Sequence, residues 1–454
     1  MKELISRAVE LAEIVKKQEE VLVVSHIDAD GITAASIAKK ALEDYGIEAK
    51  VRFVKQLEKF EIEKIKDENK FIWFTDLGSG HVSHLADLDF IITDHHAPIG
   101  RHERQLNPHD FGMDGSIEMS GAVATLMVAN RLSYDESLGE LALVGSVGDL
   151  QDSRYGKLVG FNRKLLQFLD GKLVEIQKDV RFFGKQTRPI VKMLEYNIDP
   201  LIPGLTGDEA SCVRFLSSLQ VDPWVRWIEI SKEEKRRIIS AIVRHCINFG
   251  LGYDEIKRIA GECYILLRNP EGCEKRDAME FSTLLNATAR YGEAEVGMAV
   301  CFGDEKAFSR ARTLLQNHRK NLAEGLRIVE EVGIKELKYV QYFHAGREIR
   351  DTIIGIVAGM SLVRNPKKPI IAFAESERGI KVSARATYKL VDSGLNLGKA
   401  LRTSAEAVGG SGGGHSVAAG ALIPYGSEEK FLQILDEIVA KQLQNRTLSM
   451  SSPP

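Results

Sequence analysis

Short apolar runs rich in β-branched residues alternate with helical patterns through the first 150 residues of this chain. The runs VLVVSH, AKVRFV, FIWFTD and FIITDHH are each followed by a turn or a helical stretch, and LALVGSVGD is a fifth such run. The first helical pattern extends from about Ile32 to Tyr45. Because alternation of this kind is typical of βαβ units, it predicts a parallel sheet that helices cover on both faces.

Two other patterns follow. From about residue 160 to 275 the sequence is mostly helical in character, and Thr206 with Glu209 and Ser231 with Glu234 have the spacing of capping boxes. After residue 277 the alternation returns, with strands predicted at AEVGMAVCFG, KYVQYFHAG, PIIAFAES and GIKVSARAT. The glycine-rich run GGSGGGHSVAAGALIP is predicted to exclude regular structure over its glycines.

We therefore predict an α/β protein built from three regions and a tail. An N-terminal parallel-sheet domain occupies residues 1–180, and a helical linker or inserted region occupies 181–276. A smaller α/β domain occupies 277–445, and a disordered tail occupies 446–454. A cleft is expected between the two end domains.

Charge and cysteine content narrow the function classes. The net charge of the 454-residue chain is only −3, so an anionic ligand must be held by local charge or by metal. No apolar run approaches the roughly 20 residues of a membrane span, and the N-terminus is a charged amphipathic helix rather than a signal peptide. The five cysteines form no CxxC pair, which predicts reduced thiols in a cytoplasmic protein.

Four apolar runs end in aspartate or histidine, and these ends carry the candidate metal ligands His26, Asp28, Asp30, Asp76, His95 and Asp149, together with the candidate catalytic residues Asp94 and His96. In a parallel sheet the carboxyl ends of all strands lie on one edge, so four strand ends would meet in one crevice. A single aspartate in such a place is more often a helix cap or a turn residue. A cap requires neither HxDxD nor two adjacent histidines, so the whole set favours a metal site.

The residue types indicate which metal. Four aspartates with two or three histidines would suit two ions that share a bridging carboxylate. Mixed carboxylate and imidazole ligation favours Mn²⁺ over Mg²⁺, and zinc is less expected without cysteine ligands. Two such ions would clamp an in-line displacement at phosphorus.

The motifs HIDADG, TDLG, TDHH and VGD resemble the successive motifs of the DHH phosphoesterase superfamily. GGSGGGHSVAAGA resembles the glycine-rich signature of the associated DHHA1 domain. Within the superfamily the chain is most similar to archaeal RecJ-like exonucleases of the GINS-associated nuclease type, and DAMEFSTLLNATARYG supports this likeness. The resemblance covers both ends of the chain and leaves the middle region weakly matched.

The resemblance implies a role for each motif residue. His26 and Asp28 resemble ligands of one ion, and Asp30, His95 and Asp149 resemble ligands of the second. Asp76 resembles the bridging carboxylate, and His96 resembles a residue that contacts the scissile phosphate or leaving group. Asp94 resembles a carboxylate that orients a ligating imidazole. Two interpretations of Asp152 have equal weight: a helix cap, or a residue that supports the metal ligands.

Candidate substrate contacts lie near the other end of the chain. Backbone N–H groups at Gly412, Gly413 and Gly414 can approach a phosphate closely, and His415 adds a donor, although a plain flexible loop is the alternative. Ser383 and Arg385 are predicted to share one strand face, and similar DHHA1 residues face the nucleotide backbone. Trp224 and Trp227 could stack on bases, but packing in a core or at a helix interface is the favoured interpretation.

The resemblance implies a two-metal exonuclease that hydrolyses single-stranded DNA, and also RNA, in DNA replication or repair. The direction of cleavage along the strand stays open, and 5′→3′ is the first expectation. The implied partners are single-stranded nucleic acid and the GINS complex or replicative helicase. One alternative is a small-substrate phosphodiesterase of the nanoRNase or cyclic-dinucleotide type, which the length of the chain disfavours. The other is a replisome scaffold that binds GINS, which the intact motifs disfavour.

Overall fold

The computed structural model describes residues 2–57, 59–68, 70–197, 200–362 and 365–449. The chain divides into two compact units, Met1–Leu315 and Gln316–Pro454, which we call unit 1 and unit 2. Both units combine strands and helices, which confirms the predicted α/β class. The predicted boundary at residue 277 lies inside unit 1.

The N-terminal sheet of unit 1 has five strands in the order β2-β1-β3-β4-β5, and every neighbouring pair is parallel. The strands are β1 (Glu20–His26), β2 (Glu48–Val54), β3 (Phe71–Thr75), β4 (Phe90–Thr93) and β5 (Gln105–Leu106). The surrounding helices are α1 (Lys2–Val15), α2 (Ala29–Tyr45), α3 (Lys59–Lys66), α4 (Gly121–Leu132), α5 (Leu138–Gly148) and α6 (Gly160–Leu169). The predicted parallel sheet is confirmed.

Alternation along the strands separates two apolar layers. Val23 and Trp73 pack in one core with residues of α1, α2, α4 and α5. Val24 and Phe74 point the other way, into a core that includes Ile62 of α3. Because both faces are covered, β3 is buried along its whole length, which explains its continuous apolar sequence.

Two predicted strands are helices. LALVGSVG forms most of α5, and AEVGMAVCFG forms α12 (Ala294–Cys301). A short, wholly apolar run carries no periodicity that separates a buried helix from a buried strand. Gly145 allows α5 to pack closely against α2, because a Cβ at this position would lie 2.5 Å from Asp30 Oδ1.

The middle region stands on a two-stranded antiparallel sheet of β6 (Val174–Val180) and β7 (Ala260–Leu266). Between these strands lie α7 (Ile190–Glu195), α8 (Glu209–Ser218), α9 (Lys232–Asn248) and α10 (Tyr253–Ile256). These elements share their own apolar core, which includes the fully buried Trp227. The region is therefore helical, as predicted, but a strand pair connects it to the rest of unit 1.

The two predicted capping boxes have different outcomes. Ser231 and Glu234 form one at the start of α9, each side chain pairing with the backbone of the other residue. Thr206 forms none, because Asp208 caps α8 by accepting from Ser211 N, whereas the Thr206 hydroxyl bonds to the preceding loop.

After β7 the chain forms α11 (Ala278–Arg290), α12 and α13 (Glu305–Val332). Just before α11, Asp277 forms a buried ion pair with Lys185 of the middle region, with 3.0 Å between Oδ2 and Nζ. Helix α11 packs against α5 and α2, and Asn286 Oδ1 accepts a hydrogen bond from Ala29 N at 2.9 Å. The segment DAMEFSTLLNATARYG thus supports the start of α2.

Unit 2 contains a six-stranded sheet in the order β12-β13-β11-β10-β9-β8, in which only β9 and β10 are parallel. The strands are β8 (Lys335–Glu336), β9 (Gln341–His344), β10 (Ile370–Ser376), β11 (Gly379–Arg385), β12 (Ser411–Gly414) and β13 (Ala418–Ile423). The helices are α14 (Ile354–Ser361), α15 (Tyr388–Asp392), α16 (Leu397–Glu406) and α17 (Glu428–Ser449).

The glycine cluster of unit 2 is regular structure, contrary to the prediction, because β12 pairs along its length with β13. Close packing explains why glycines form a strand here: a Cβ at Gly412 would lie 2.9 Å from Ala421 Cβ and 3.0 Å from Leu401 O of α16.

Three further predictions concern the whole chain. All five cysteines are free thiols, as predicted. No helix of the described residues is long and apolar enough to cross a membrane. The predicted disordered tail is wrong for residues 446–449, which belong to helix α17, and residues 450–454 lie outside the described residues.

Candidate metal centre

The end of β1 places His26 and Asp28 side by side. Asp28 caps α2, because its Oδ1 accepts a hydrogen bond from Gly31 N at 3.0 Å. Its Oδ2 lies 3.0 Å from His26 Nδ1. A side chain at residue 31 would collide with the His26 carbonyl, so only glycine allows this tight turn into α2. Asp28 is thus both a helix cap and a candidate ligand.

Asp76 lies at the centre of the cluster, directly after β3. Its backbone is left-handed, with φ 57°, a conformation that costs an aspartate about 1 kcal/mol or more. Asp76 Oδ2 lies 3.6 Å from His26 Nδ1, and Oδ1 lies 3.2 Å from His95 Nε2. The side chain is 1% exposed, and neither oxygen has a hydrogen-bond partner among the described residues. A strained carboxylate with two unpaired oxygens suits a bridging ligand.

His95 faces two more carboxylates. Its Nε2 lies 3.7 Å from Asp30 Oδ2 and 3.7 Å from Asp149 Oδ2. On the other side of the ring, Nδ1 donates to Gly115 O at 2.7 Å. Because this bond holds the Nδ1 proton, Nε2 is the ring nitrogen that faces the carboxylates.

The first turn of α4 holds Asp30. Its two carboxylate oxygens accept hydrogen bonds from Gly121 N at 2.7 Å and Ala122 N at 3.0 Å. The positive end of the helix dipole thus lies against this carboxylate. Burial nevertheless raises the pKa of Asp30 well above its ordinary range, and the neighbouring Asp76 carboxylate adds to the rise. Burial also raises the pKa of Asp149.

Buried carboxylates so close together repel one another, and a divalent cation would remove the repulsion. Burial would lower the pKa of His95, but Asp149 and Asp76 raise it well above its usual value. The candidate ligand atoms form three groups, each within 4.8 Å: His26, Asp28 and Asp76; Asp30, His95 and Asp149; and Asp76, His95 and His96. The donor types and the unpaired Asp76 oxygens fit divalent metal.

Asp94 holds His96 and not one of the predicted imidazole ligands. Its Oδ1 accepts from His96 Nδ1 at 2.8 Å and from His95 N at 2.7 Å, and its Oδ2 accepts from Ser79 N at 3.0 Å. Burial would lower the pKa of His96, but Asp94 raises it to about 9. The His96 side chain is 50% exposed. Asp94 therefore holds a half-exposed imidazole with a raised pKa at the edge of the centre.

Two neighbours of the centre were missing from the sequence prediction. Gln151 donates to Asp149 Oδ2 and Gly115 O, and Asn162 donates to Gln151. Nothing in the local sequence marks them, because the other partners of Gln151, Gly115 and Asn162, lie 36 and 11 positions away. Asp152 is not a helix cap: its Oδ2 forms a buried ion pair with Arg181 Nη2 at 2.7 Å.

In unit 2 the predicted substrate residues separate into two groups. Ser383 is buried, and the Arg385 guanidinium lies against α14, where a Cβ at Gly355 would lie 2.6 Å from Nη2. Gly413 and His415 lie at the surface of the β12–β13 hairpin, and His415 N donates to Ala418 O at 2.9 Å. The glycine backbone and His415 are thus more accessible than the two β11 side chains.

The two tryptophans of the middle region have different surroundings. Trp227 is buried, as favoured, and its indole N–H donates to Asp179. Trp224 is 54% exposed, so packing in a core, the favoured interpretation, is wrong for this residue.

Comparison with known proteins places this arrangement in a family. The model of the DHH family N-terminal domain matches residues 20–145, that of the DHH-CID domain matches 182–260, and that of the DHHA1 domain matches 337–441. The uncharacterized protein MJ0831 of Methanocaldococcus jannaschii is 32% identical over 436 residues, which cover 93% of this chain and 94% of that protein. The chain belongs to the DHH/DHHA1 family. The weakly matched middle region of this DHH/DHHA1 protein is a DHH-CID domain.

Solved structures share the fold of this DHH/DHHA1 chain. Mn²⁺-bound RecJ of Thermus thermophilus has a TM-score of 0.59 and 18% identity, over 97% of this chain and 55% of that one. CDC45 of Entamoeba histolytica has a TM-score of 0.67 and 12% identity, over 95% of this chain and 97% of that one. The chain thus spans about half the length of that RecJ. The predicted likeness to RecJ is confirmed for the fold.

Proposed function

We propose that this chain is a divalent-metal-dependent phosphodiesterase that removes nucleotides from the ends of single-stranded nucleic acid. The observation that carries the proposal is the Asp76 carboxylate, whose two buried oxygens accept no hydrogen bond from the described residues and face His26 on one side and His95 on the other. Membership of the DHH/DHHA1 family supports hydrolysis of phosphoester bonds. The Mn²⁺ in a RecJ structure of the same fold supports the choice of metal.

Each ion would have its own ligand group. His26 and Asp28 would hold one ion, Asp30, His95 and Asp149 would hold the other, and Asp76 would bridge them. When bound, two divalent ions supply charge neutralisation at the phosphate and an activated water. Mn²⁺ is favoured over Mg²⁺ because imidazole contributes to both groups.

The protein's own groups supply the remaining chemistry. His96 stands half-exposed beside the ligands, and Asp94 keeps its imidazole protonated. A charged His96 can donate a hydrogen bond to a phosphate oxygen and a proton to the leaving oxygen. Asp94 thus acts through His96 and does not touch the substrate.

Substrate binding is proposed for the glycine-rich hairpin of unit 2. The backbone at Gly413 and the side chain of His415 are accessible and can bind phosphates. The side chains of Ser383 and Arg385 instead lie against α14. Single-stranded DNA is the proposed substrate, with RNA as the second. The cleft between the end domains and the polarity of cleavage stay predictions.

A place in DNA replication or repair follows from the RecJ-like resemblance and stays a prediction. The GINS complex or replicative helicase as partner, and the cytoplasmic location, stay predictions. The complete ligand set argues against a scaffold without activity.

The test is digestion of end-labelled substrates by the purified full-length chain. Single-stranded DNA and RNA labelled at either end, duplex DNA and a dinucleotide are each incubated with Mn²⁺, with Mg²⁺ or with EDTA. We expect Mn²⁺-dependent release of mononucleotides from single strands, and no release by Asp76→Asn. Preference for the dinucleotide would instead establish the small-substrate alternative, and no cleavage with any divalent ion would overturn the enzyme proposal.

A further inference from the structure

We infer that Gln151 is a positioning residue for the proposed metal centre. Its one side-chain amide fixes the orientation of both the Asp149 carboxylate and the His95 ring. The inference rests on the proposed function and adds a residue that no motif contains. It concerns the turn that follows α5, where the chain leaves the centre.

Gln151 is fully buried and reaches both ligands of the second group. Its Nε2 lies 3.0 Å from Asp149 Oδ2 and 2.9 Å from Gly115 O. The same carbonyl accepts from His95 Nδ1, which lies 3.3 Å from the Gln151 nitrogen. One amide group therefore fixes the Asp149 carboxylate and also the carbonyl that sets the tautomer of His95.

A backbone group sets the orientation of the Gln151 amide. Ser120 N can only donate, and it donates to Asn162 Oδ1 at 3.2 Å. The other end of the Asn162 amide, Nδ2, must then face Gln151, where it donates to Oε1 at 2.6 Å. Gln151 is therefore left with its N–H groups facing Asp149 and Gly115 O. The chain of donors leads in one direction, from the backbone to the ligand.

The turn itself is held from both sides. Leu150 has a left-handed backbone, with φ 58°, which allows Asp149 and Gln151 to reach the same centre. Gln151 N donates to Ser146 O at 3.1 Å, and Asp152 on the far side pairs with buried Arg181. Because the backbone is fixed by these contacts, a change of the Gln151 side chain acts on the amide and not on the path of the turn.

Packing and positioning make different predictions for an isosteric substitution. Methionine has nearly the volume of glutamine and tolerates a buried site, but it has no N–H to donate. If Gln151 only filled space, Gln151→Met would leave metal affinity unchanged. If it positions Asp149 and His95, we expect the affinity of the second ion to fall by about 10–100-fold while the first ion is retained.

The experiment is a Mn²⁺ titration of the full-length chain, followed by electron paramagnetic resonance. The wild-type chain is expected to bind two ions with an exchange-coupled spectrum, and Gln151→Met to give the spectrum of a single ion at concentrations that saturate the wild type. Gln341→Met is the matched control, because Gln341 is a buried amide of unit 2 that also donates to two carbonyls, Asn365 O and Lys368 O.

A double-mutant cycle tests the donor chain. Asn162→Asp replaces the donor that faces Gln151 Oε1 by a carboxylate oxygen, so the Gln151 amide should turn and present its oxygen to Asp149. We expect the same loss of the second ion as in Gln151→Met, and no further loss in the double variant, because both changes break one path. Thermal unfolding in EDTA separates loss of fold from loss of metal.

The outcomes separate this inference from the function on which it rests. A wild-type chain that binds no Mn²⁺ would overturn the metal centre and the inference with it. Two tightly bound ions in Gln151→Met, or a loss equal to that in Gln341→Met, would overturn the role of Gln151 alone. Additive losses in the double variant would overturn the path through Asn162.

Discussion

His96 Nδ1 donates a hydrogen bond to Asp94 Oδ1 over 2.8 Å, so the two adjacent histidines of the DHH triplet have different partners. His95 is turned toward the carboxylates of the centre, whereas His96 is tied to Asp94 and half-exposed. One imidazole thus belongs to the ligand set, and the other is kept as a cation at its edge.

Asp94→Asn should lower the pKa of His96, because the neutral amide no longer stabilises the imidazolium. Activity that needs a protonated His96 is full below this pKa and lost above it, so the alkaline limb of kcat should move to lower pH. The measurement is kcat against pH at saturating Mn²⁺. His96→Gln should abolish that limb, and an unmoved limb in Asp94→Asn would contradict the role of His96.

Asp76→Asn should separate stability from activity. The change removes a charge that the other carboxylates of the cluster repel but that His26 and His95 attract, so its effects on stability oppose each other. In EDTA we expect the free energy of unfolding in urea to change by less than about 1 kcal/mol, and cleavage with Mn²⁺ to fall by about 10³-fold. Asp87→Asn, at an exposed surface position, is the control for both measurements. A loss of several kcal/mol in EDTA would show that Asp76 supports the fold as well as the metal centre.

Glu140 of α5 should make unit 1 less stable as the pH rises. Its Oε1 is buried without a hydrogen-bond partner among the described residues, and burial raises its pKa to about 7 against the opposing charge of Arg268. Below about pH 4 the carboxyl is protonated in both states, and between about pH 4 and 7 the unfolded chain loses its proton first. The free energy of unfolding therefore falls through this window.

Glu140→Gln should consequently match the wild type near pH 4 and exceed it by about 1–2 kcal/mol at pH 8. Urea unfolding at the two pH values measures the difference, and Glu13→Gln at an exposed position is the control. An equal gain at both pH values would show that ionisation of Glu140 is not the cause.

Adjacent glycines of β12 should respond differently to alanine. A Cβ at Gly413 meets only Arg402 side-chain atoms, the nearest at 3.6 Å, whereas a Cβ at Gly412 would lie 2.9 Å from Ala421 Cβ. Gly413→Ala should raise KM for single-stranded DNA several-fold with unchanged stability, because it blocks the backbone approach of a phosphate. Gly412→Ala should instead lower stability, by about 1–3 kcal/mol. Thermal unfolding and steady-state kinetics measure both effects, and an unchanged KM in Gly413→Ala would exclude this contact.

The sequence predicted the sheet and the ligand set because both depend on local order. His26, Asp76 and His95 each follow an apolar run that is a strand of the parallel sheet, so the edge rule brings them together. Asp149 joins them by another path: it ends helix α5, and its place depends on how that helix packs against α2. Asp149 thus lies beside the predicted residues, but the element predicted to carry it there was wrong.

Other features depend on contacts between distant residues. Gln151 and Gly115 are hydrogen-bonded across 36 positions, and Arg181 and Asp152 meet only after β6 and the turn after α5 have packed. No local pattern contains such pairs. The β12 strand was missed for a related reason, since glycine has no strand propensity and only the neighbouring strand and α16 hold it there.

The two-stranded sheet of β6 and β7, which connects the middle region to the rest of unit 1, has a consequence for how the protein could evolve. Val180 and Ala260 are register partners, so the chain leaves and returns at the same point, and a short turn could replace everything between them. That region, however, supplies Arg181 and Lys185, the buried cations that neutralise Asp152 and Asp277. Its deletion would leave two buried carboxylates unpaired, each at a cost of several kcal/mol. The geometry of the strand ends would thus allow loss of the middle region, but the two buried acids require its cations. A lineage could lose the region only by replacing both acids as well.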